Sequence, residues 1–385
     1  MNNVEFIKEE DCCGCSACAS ICSFEAIIME PDSKGFLRPK INENRCKDCG
    51  MCLQVCNSKT DAKKNTMTAY AVKHKDDAVL KSSSSGGASR AFCESVISRG
   101  GVVYGVAYTD EFEVEIRRAS LLEECDAFYG SKYVAVNPKD SFKNVYTDLE
   151  NNKQVLFLST SCYVAGLLAY LKKKNCDLSN LITVDLICHG TPSPKIFRDY
   201  INFINVNQDL MKIDFRSKRL PWKYGTWSCM LTRKNGSEEL NTLKSRLFIN
   251  LFCSSTCLRK YCYSCPYASG KRTADLTISD FWGIERIFPD FYSRLGVSAV
   301  QVNSEKGKVF FNQLTNIEKR ECAQEDVLQN NLHTPTRENP ESEMFWDLYK
   351  SKGFIGVARK YGGYNFMGRF RVSKLHDLWT KIRYK

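Results

Sequence analysis

The sequence predicts a mixed α/β protein in which a small α+β module precedes a larger α/β domain. Three observations lead there. Nine of the twenty cysteines crowd between Cys12 and Cys56. From about residue 69 to 330, short apolar runs alternate with helix-like stretches. Apolar residues make up 43% of the 385 and aromatics 12%, enough for a buried core and against disorder.

The cysteine-dense module carries the most specific pattern. Cys12, Cys15, Cys18 and Cys22 stand at C-x2-C-x2-C-x3-C, and Cys46, Cys49, Cys52 and Cys56 repeat that spacing. Three closely spaced thiolates wrap one corner of a cubane, and the fourth reaches the neighbouring cluster. The first cluster is therefore expected on Cys12, Cys15, Cys18 and Cys56, and the second on Cys46, Cys49, Cys52 and Cys22. Gly14 and Gly50 let the loops turn tightly around inorganic sulfide. Zinc knuckles are the competing reading, but zinc ligands usually come as separated C-x2-C pairs. Two complete four-cysteine runs fit a two-cluster 4Fe-4S ferredoxin domain over residues 1–60. The Pro that usually follows the fourth cysteine is Ser23 in one copy and Asn57 in the other, which affects loop stiffness and not ligation. Cys13 reads as a bystander, able to replace a damaged ligand.

A polar stretch, NSKTDAKKNTMT (57–68), follows and supplies a linker over 61–68. Beyond it, GVVYGVAY (101–108) and EVEIRRAS (113–120) read as adjacent strands around a turn. VLFLST (155–160) reads as a strand followed by a helix over Val164–Lys173. LITVDLIC (181–188) precedes a helix over Pro194–Ile204. Strand–helix repetition of this kind predicts parallel pairing with right-handed crossovers. Ligands gather at the carboxyl ends of such strands, where Cys162 and Cys188 fall. Cys262 and Cys265 form a C-x2-C loop, so the four make one expected thiolate site. Cys253 and Cys257 compete for membership, and a structural zinc on Cys257, Cys262, Cys265 and another residue is the alternative.

The formal charge is +11. Twelve cluster-bound thiolates with three oxidised cores would shift it by about −6. The modest basic bias that remains suits anionic cofactors and acidic redox partners, and nucleic acid is not expected. Met1–Asp11 lacks the apolar stretch of a secretory signal, and no apolar run approaches the ~18 residues of a bilayer span. The expectation is a cytoplasmic protein without a transmembrane segment. The tail from Arg369 to Lys385 holds six Lys/Arg against one acid. It would close a basic helical region over 331–385, able to pack on its own domain or touch a membrane surface.

Several stretches together resemble the coenzyme F420 hydrogenase/dehydrogenase beta-subunit family, in the bacterial form fused to a two-cluster ferredoxin. They are SSSSGGASRAF (82–92), RGGVVYGVAY (99–108), FYGSKYVAV (128–136), STSCYVAGL (159–167), DLICHGTPSP (185–194), and CLRKYCYSCPY through ADLTISDFWG (257–283). The resemblance implies an FAD-binding domain over 69–330 with its own 4Fe-4S cluster on Cys162, Cys188, Cys262 and Cys265, leaving Cys257 in reserve. The usual GTPCQ is STSCY here: Ser161 replaces Pro and Tyr163 replaces Gln, so substrate identity is not inherited. Ser85, Gly86 and Gly87 precede a helix over Ala88–Ser98, where backbone N–H groups suit a phosphate. The competing reading is a flexible linker, and the resemblance favours the flavin site. Lys132 and His189 are candidates to steady a reduced, anionic flavin. Arg216, Lys218 and Arg219 could meet an anionic substrate, against a solvated basic face. No dinucleotide fingerprint follows a strand, so an NAD site has little support.

The expected function is flavin-dependent iron–sulfur oxidoreduction. A flavin accepts a hydride and releases electrons singly, and the clusters continue the path to a partner protein, a ferredoxin or a redox enzyme. A small-molecule substrate would sit at the flavin. The rival readings are an electron-transfer adaptor without a substrate, for which the resemblance implies a setting in polysaccharide synthesis, and an interaction protein braced by its clusters.

Overall fold

The computed structural model describes residues 3–57 and 64–365. The amphipathic helix expected over 369–385 lies outside them.

In chain order, the N-terminal module contains α1 (Ala17–Ile21), β1 (Ile27–Pro31), β2 (Leu37–Ile41) and α2 (Met51–Gln54). The two strands pair antiparallel, which gives the expected α+β module. Next come β3 (Lys64–Asn65), β4 (Thr68–His74), α3 (Asp77–Ser82), α4 (Ala88–Ile97), β5 (Val102–Tyr108), β6 (Val114–Ala119) and α5 (Ser141–Glu150). The middle of the chain gives β7 (Val155–Thr160), α6 (Ser161–Lys173), β8 (Leu181–Leu186) and α7 (Pro194–Ile204). A small antiparallel sheet follows, β9 (Leu210–Asp214), β10 (Met230–Arg233) and β11 (Glu238–Leu240). The remainder is α8 (Leu243–Cys253), β12 (Lys271–Arg272), β13 (Leu276–Asp280), α9 (Ile284–Ile287), β14 (Ser298–Val302), α10 (Glu305–Asn312), β15 (Ile317–Cys322) and α11 (Ser342–Lys360).

The main sheet has eight strands in the order β15-β4-β14-β13-β8-β7-β5-β6. Its centre, β5, β7, β8 and β13, is parallel, so Tyr108, Thr160, Leu186 and Asp280 end on one edge. β5 and β6 form the expected antiparallel pair. The central strands are apolar on both faces because both are covered. Val102, Tyr104, Val155 and Phe157 pack with α5 and α6, whereas Val103, Leu156, Ile182 and Val184 pack with α4 and α10.

Local signals explain several helix starts. Ser193 caps α7, accepting from the Ile196 amide at 3.2 Å, with Pro194 in the first turn. Helix α6 starts at Ser161, three residues before its expected start, so Cys162 lies in the first helical turn. Of the stretch expected as a linker over 61–68, residues from Lys64 onward are built in. β3 pairs with β12, and Thr66 Oγ1 donates to Asn303 Oδ1 at 3.0 Å. Among the described residues, no helix is long and apolar enough to cross a membrane.

The N-terminal module shares a core with the large sheet. Cys13, Cys15, Ala17, Ile21 and Val55 belong to the same apolar cluster as Tyr163, Val164 and Leu167 of α6. Gly166 makes this approach possible: a Cβ there would stand 2.7 Å from Cys15 Sγ. Arg259, 3% exposed, fastens the other side by donating to the carbonyls of Cys12 and Leu37, each at 3.2 Å.

Candidate metal centres

The dicluster loops are built from residues that turn. Gly14 (φ +76°), Ser16 (φ 65°), Asp48 (φ 50°) and Gly50 (φ +72°) all take left-handed backbone. α1 carries Cys18 and α2 carries Cys52. The Ala26 amide donates to Cys22 Sγ at 3.4 Å, and the Asp48 amide to Cys46 Sγ at 3.4 Å. Such contacts orient a sulfur ligand and offset its charge. Burial pushes the Cys18 thiol up, and Cys12 and Cys56 add to the shift. Cys52 acts on Cys18 in the same direction, so cysteines of both runs surround it.

Cys162, Cys188, Cys262 and Cys265 line one cavity at the carboxyl edge of the sheet. Cys162 comes from the start of α6, Cys188 from just beyond β8, and the other two from the loop after α8. Burial pushes the Cys188 thiol well up, and Cys262, Cys162 and Cys265 add to it. Burial lifts Cys265 to about 12, with Cys162 and Cys262 contributing. Polar groups face the sulfurs: the Gly190 amide donates to Cys188 Sγ at 3.3 Å, Thr160 Oγ1 lies 3.4 Å from Cys162 Sγ, and Thr191 Oγ1 3.7 Å from Cys262 Sγ. Four soft thiols with hydrogen-bonding neighbours are a donor set that fits a 4Fe-4S cluster. Among the described residues, no three His, Cys, Asp or Glu side chains are gathered tightly enough for a single ion. A cubane asks for a wider ring of ligands. Cys257 does not line this cavity, its thiol facing the Leu251 carbonyl at 3.7 Å, and Cys253 is exposed.

The altered STSCY motif has a structural role. Ser161 Oγ donates to Asp185 Oδ2 at 2.8 Å and accepts from Arg272 Nη2 at 2.9 Å. Tyr163 is buried in the core, its hydroxyl donating to the Val136 carbonyl at 2.6 Å. Tyr163 is therefore not on the cavity wall.

The residues proposed from sequence for a flavin fall into two groups. Ser85, Gly86 and Gly87 lie at the start of α4, beside Lys218, whose Nζ donates to the Ser84 carbonyl at 3.0 Å. Ser131 Oγ joins Ser84 Oγ at 3.0 Å, bringing Lys132 nearby. Lys132 Nζ is held by the carbonyls of Ala127 (2.8 Å) and Tyr129 (2.6 Å). Burial lowers both lysines to about 7. The Gly86 amide, expected to be free for phosphate, already donates to Ser298 Oγ at 2.9 Å because the loop is clamped between β4 and β14. His189 does not join this group. It lines the thiol cavity, its Nε2 lies 3.0 Å from Ser255 Oγ, and burial lowers its pKa. Phe252 connects the groups, its ring 5.2 Å from His189 and 5.0 Å from Tyr133.

Gly86 cannot be enlarged cheaply. A Cβ there would lie 2.3 Å from the Val72 carbonyl oxygen and 2.4 Å from the Ser298 amide nitrogen, both backbone atoms. Gly86→Ala is expected to destabilise the fold by about 1–3 kcal/mol, read as a lower denaturation midpoint. An unchanged midpoint would show that the loop is not clamped.

Sequence reasoning missed much of this surround. Arg216 meets Asp280 (3.0 Å) in a mostly buried pair, and Asp280 Oδ1 also accepts from Trp222 Nε1 at 2.8 Å. Arg216 is thus committed to a carboxylate, not to a solvated basic face. Arg219 pairs with Glu238 at the surface. The Asp280 in the DFWG stretch, followed by an aromatic, was the available signal for a buried partner.

Residues 11–60 match the 4Fe-4S dicluster domain family, and residues 152–326 match the family described as the C terminus of the coenzyme F420 hydrogenase/dehydrogenase beta subunit. No curated protein matches the chain. Among solved structures, a chain from the xenon-derivatised F420-reducing nickel–iron hydrogenase complex of Methanosarcina barkeri is similar at 14% identity and a TM-score of 0.47, covering 77% of this chain and 91% of that one. The chain therefore carries a stretch that matches a 4Fe-4S dicluster domain and a longer one that matches the C terminus of the coenzyme F420 hydrogenase/dehydrogenase beta subunit.

Proposed function

We propose that this protein is an iron–sulfur flavoprotein oxidoreductase with three 4Fe-4S clusters. The observation that carries the reading is the single cavity lined by Cys162, Cys188, Cys262 and Cys265, packed against the dicluster module. Cys12, Cys15, Cys18 and Cys56 would hold one N-terminal cluster, Cys46, Cys49, Cys52 and Cys22 the other, and the cavity thiols the third. FAD, when bound, would supply the exchange between hydride and single electrons that clusters alone do not perform. Lys218 and Lys132, beside the Ser85–Gly87 loop, would receive its phosphates, and the Phe252–Tyr133 ring pair would lie between that loop and the thiol cavity. Anaerobic purification followed by iron, sulfide and flavin analysis tests the reading. About twelve iron, twelve sulfide and one FAD per chain are expected. Twelve iron without flavin would favour the electron-transfer adaptor, and zinc without sulfide at the cavity would end the third-cluster reading.

The desolvated lysines give the flavin proposal a pH signature. Lys218 is held down to about 7 by burial, and a bound pyrophosphate would raise it again. Below pH 7 the lysine is charged with or without ligand, so affinity is constant there. As pH rises from 7 towards the ligand-bound value, binding must take up a proton and affinity falls. FAD titrations at pH 6, 7, 8 and 9 are expected to show this loss, and Lys218→Met to reduce it to the share that Lys132 contributes. A flat profile in the wild type would remove Lys218 from the phosphate site.

A further inference from the structure

Cys13 is needed by neither four-cysteine run, and Asn57 occupies the place where such runs usually carry Pro. Both lie at the contact between the dicluster module and the third thiol set. Cys13 Sγ donates to Asn57 Oδ1 at 3.4 Å, and Cys15 Sγ stands 3.8 Å from the same oxygen. Asn57 Nδ2 donates to the Cys162 carbonyl at 2.7 Å. Asn57 is 1% exposed and Cys13 5%. Cys13 additionally lines the cavity of Cys162, Cys188, Cys262 and Cys265.

A buried Asn is costly unless both ends of its amide are satisfied. Here the two ends face different partners, one on each side of the contact. Proline could offer neither the acceptor to Cys13 nor the donor to Cys162. Cys15 and Cys162 are ligands of two different clusters in the proposed assignment, and Cys13 lies between them without belonging to either set. Electron tunnelling weakens steeply across gaps and survives best through bonded and hydrogen-bonded contacts. Hydrogen bonds to cluster sulfurs also set reduction potential.

We propose that Cys13 and Asn57 are positioning residues for electron transfer between the cluster ligated by Cys15 and that ligated by Cys162. This rests on the third cluster proposed above. One electron passes, the donor cluster is oxidised and the acceptor cluster reduced by one. Cys13 keeps its proton throughout, and no bond to it forms or breaks. Asn57 fixes the Cys13 thiol and the Cys162 backbone in one arrangement.

The test compares anaerobically purified wild type with Cys13→Ala, Cys13→Ser, Asn57→Ala and Asn57→Pro, reading iron content, cluster midpoint potentials and the EPR spectrum of the reduced protein. Freeze-quenched EPR after mixing with reduced ferredoxin gives the rate of electron arrival at the third cluster. Full iron is expected in every variant. Cys13→Ala and Asn57→Pro should slow arrival by about tenfold or more, the scale on which groups supporting metal ligands act. They should also shift the potential of at least one of the two clusters and weaken the magnetic interaction between them. Cys13→Ser, which keeps a donor, should lie close to wild type. Loss of about four iron from both Cys13 variants would overturn the proposal by making Cys13 a ligand. Unchanged rate, potential and spectrum in Cys13→Ala would overturn it by making Cys13 a space filler. Wild type with only about eight iron would overturn it through the third-cluster reading itself, and the count separates that failure from the other two.

Discussion

If the protein holds the three clusters proposed, Cys262→Ser is expected to remove about four of twelve iron atoms and to leave the two N-terminal clusters in place. Cys15→Ser should remove a cluster from the dicluster module instead. The ligand sets are separated along the chain, and Cys262 shares its cavity with Cys162, Cys188 and Cys265. Cys257→Ser makes the discriminating control. Its thiol is buried, pushed up to about 12 by that burial, and faces the Leu251 carbonyl. Iron should therefore stay near the wild-type value when it is replaced. Iron and sulfide analysis of the three variants, with EPR after dithionite reduction, provides the measurement. A loss of about four iron from Cys257→Ser, with none from Cys262→Ser, would put the wrong cysteine in the ring.

How far the sequence could be read depends on the distance over which each feature is determined. The eight N-terminal cysteines were legible because cluster ligation imposes a short local spacing, and the family match over residues 11–60 agrees with it. VLFLST and LITVDL were legible as parallel strands because a strand buried on both faces must be apolar throughout. The start of α6 was placed late, at Val164. Thr160 makes no side-chain capping bond, so nothing local announced that Ser161 begins the helix. Tertiary features were out of reach. Asn57 meets Cys162 across 105 residues, and Arg216 meets Asp280 across 64. A lone basic residue gives no sign of whether its partner is solvent, ligand or a buried carboxylate. The Gly86 amide shows the opposite case: the Ser-Gly loop suggested free donors, and its clamp against Ser298 is set by the order of strands in the sheet.

Arg272→Met is expected to destabilise the protein by about 3–5 kcal/mol, as removal of one member of a buried ion pair does. Arg272 is 1% exposed and Asp185 0%, and they approach to 3.0 Å. The guanidinium also donates to Thr277 Oγ1 at 3.1 Å, the Tyr267 carbonyl at 3.1 Å and Ser161 Oγ at 2.9 Å. Asp185 accepts from Ser161 and Thr277 as well, so the five groups belong to one network joining β8, β13, α6 and the loop of Cys265. Methionine fills similar space but strands the carboxylate with two hydroxyl donors and no counter-charge. Lysine restores the charge without the planar fork that reaches four partners at once, so Arg272→Lys should recover only part of the loss. Arg219→Met, at an exposed pair with Glu238, should leave the transition unchanged. Denaturant unfolding of the three variants under anaerobic conditions decides the matter. A wild-type midpoint in Arg272→Met would mean that the desolvation cost of the pair cancels its attraction, and that the floor of the thiol cavity is held by packing alone.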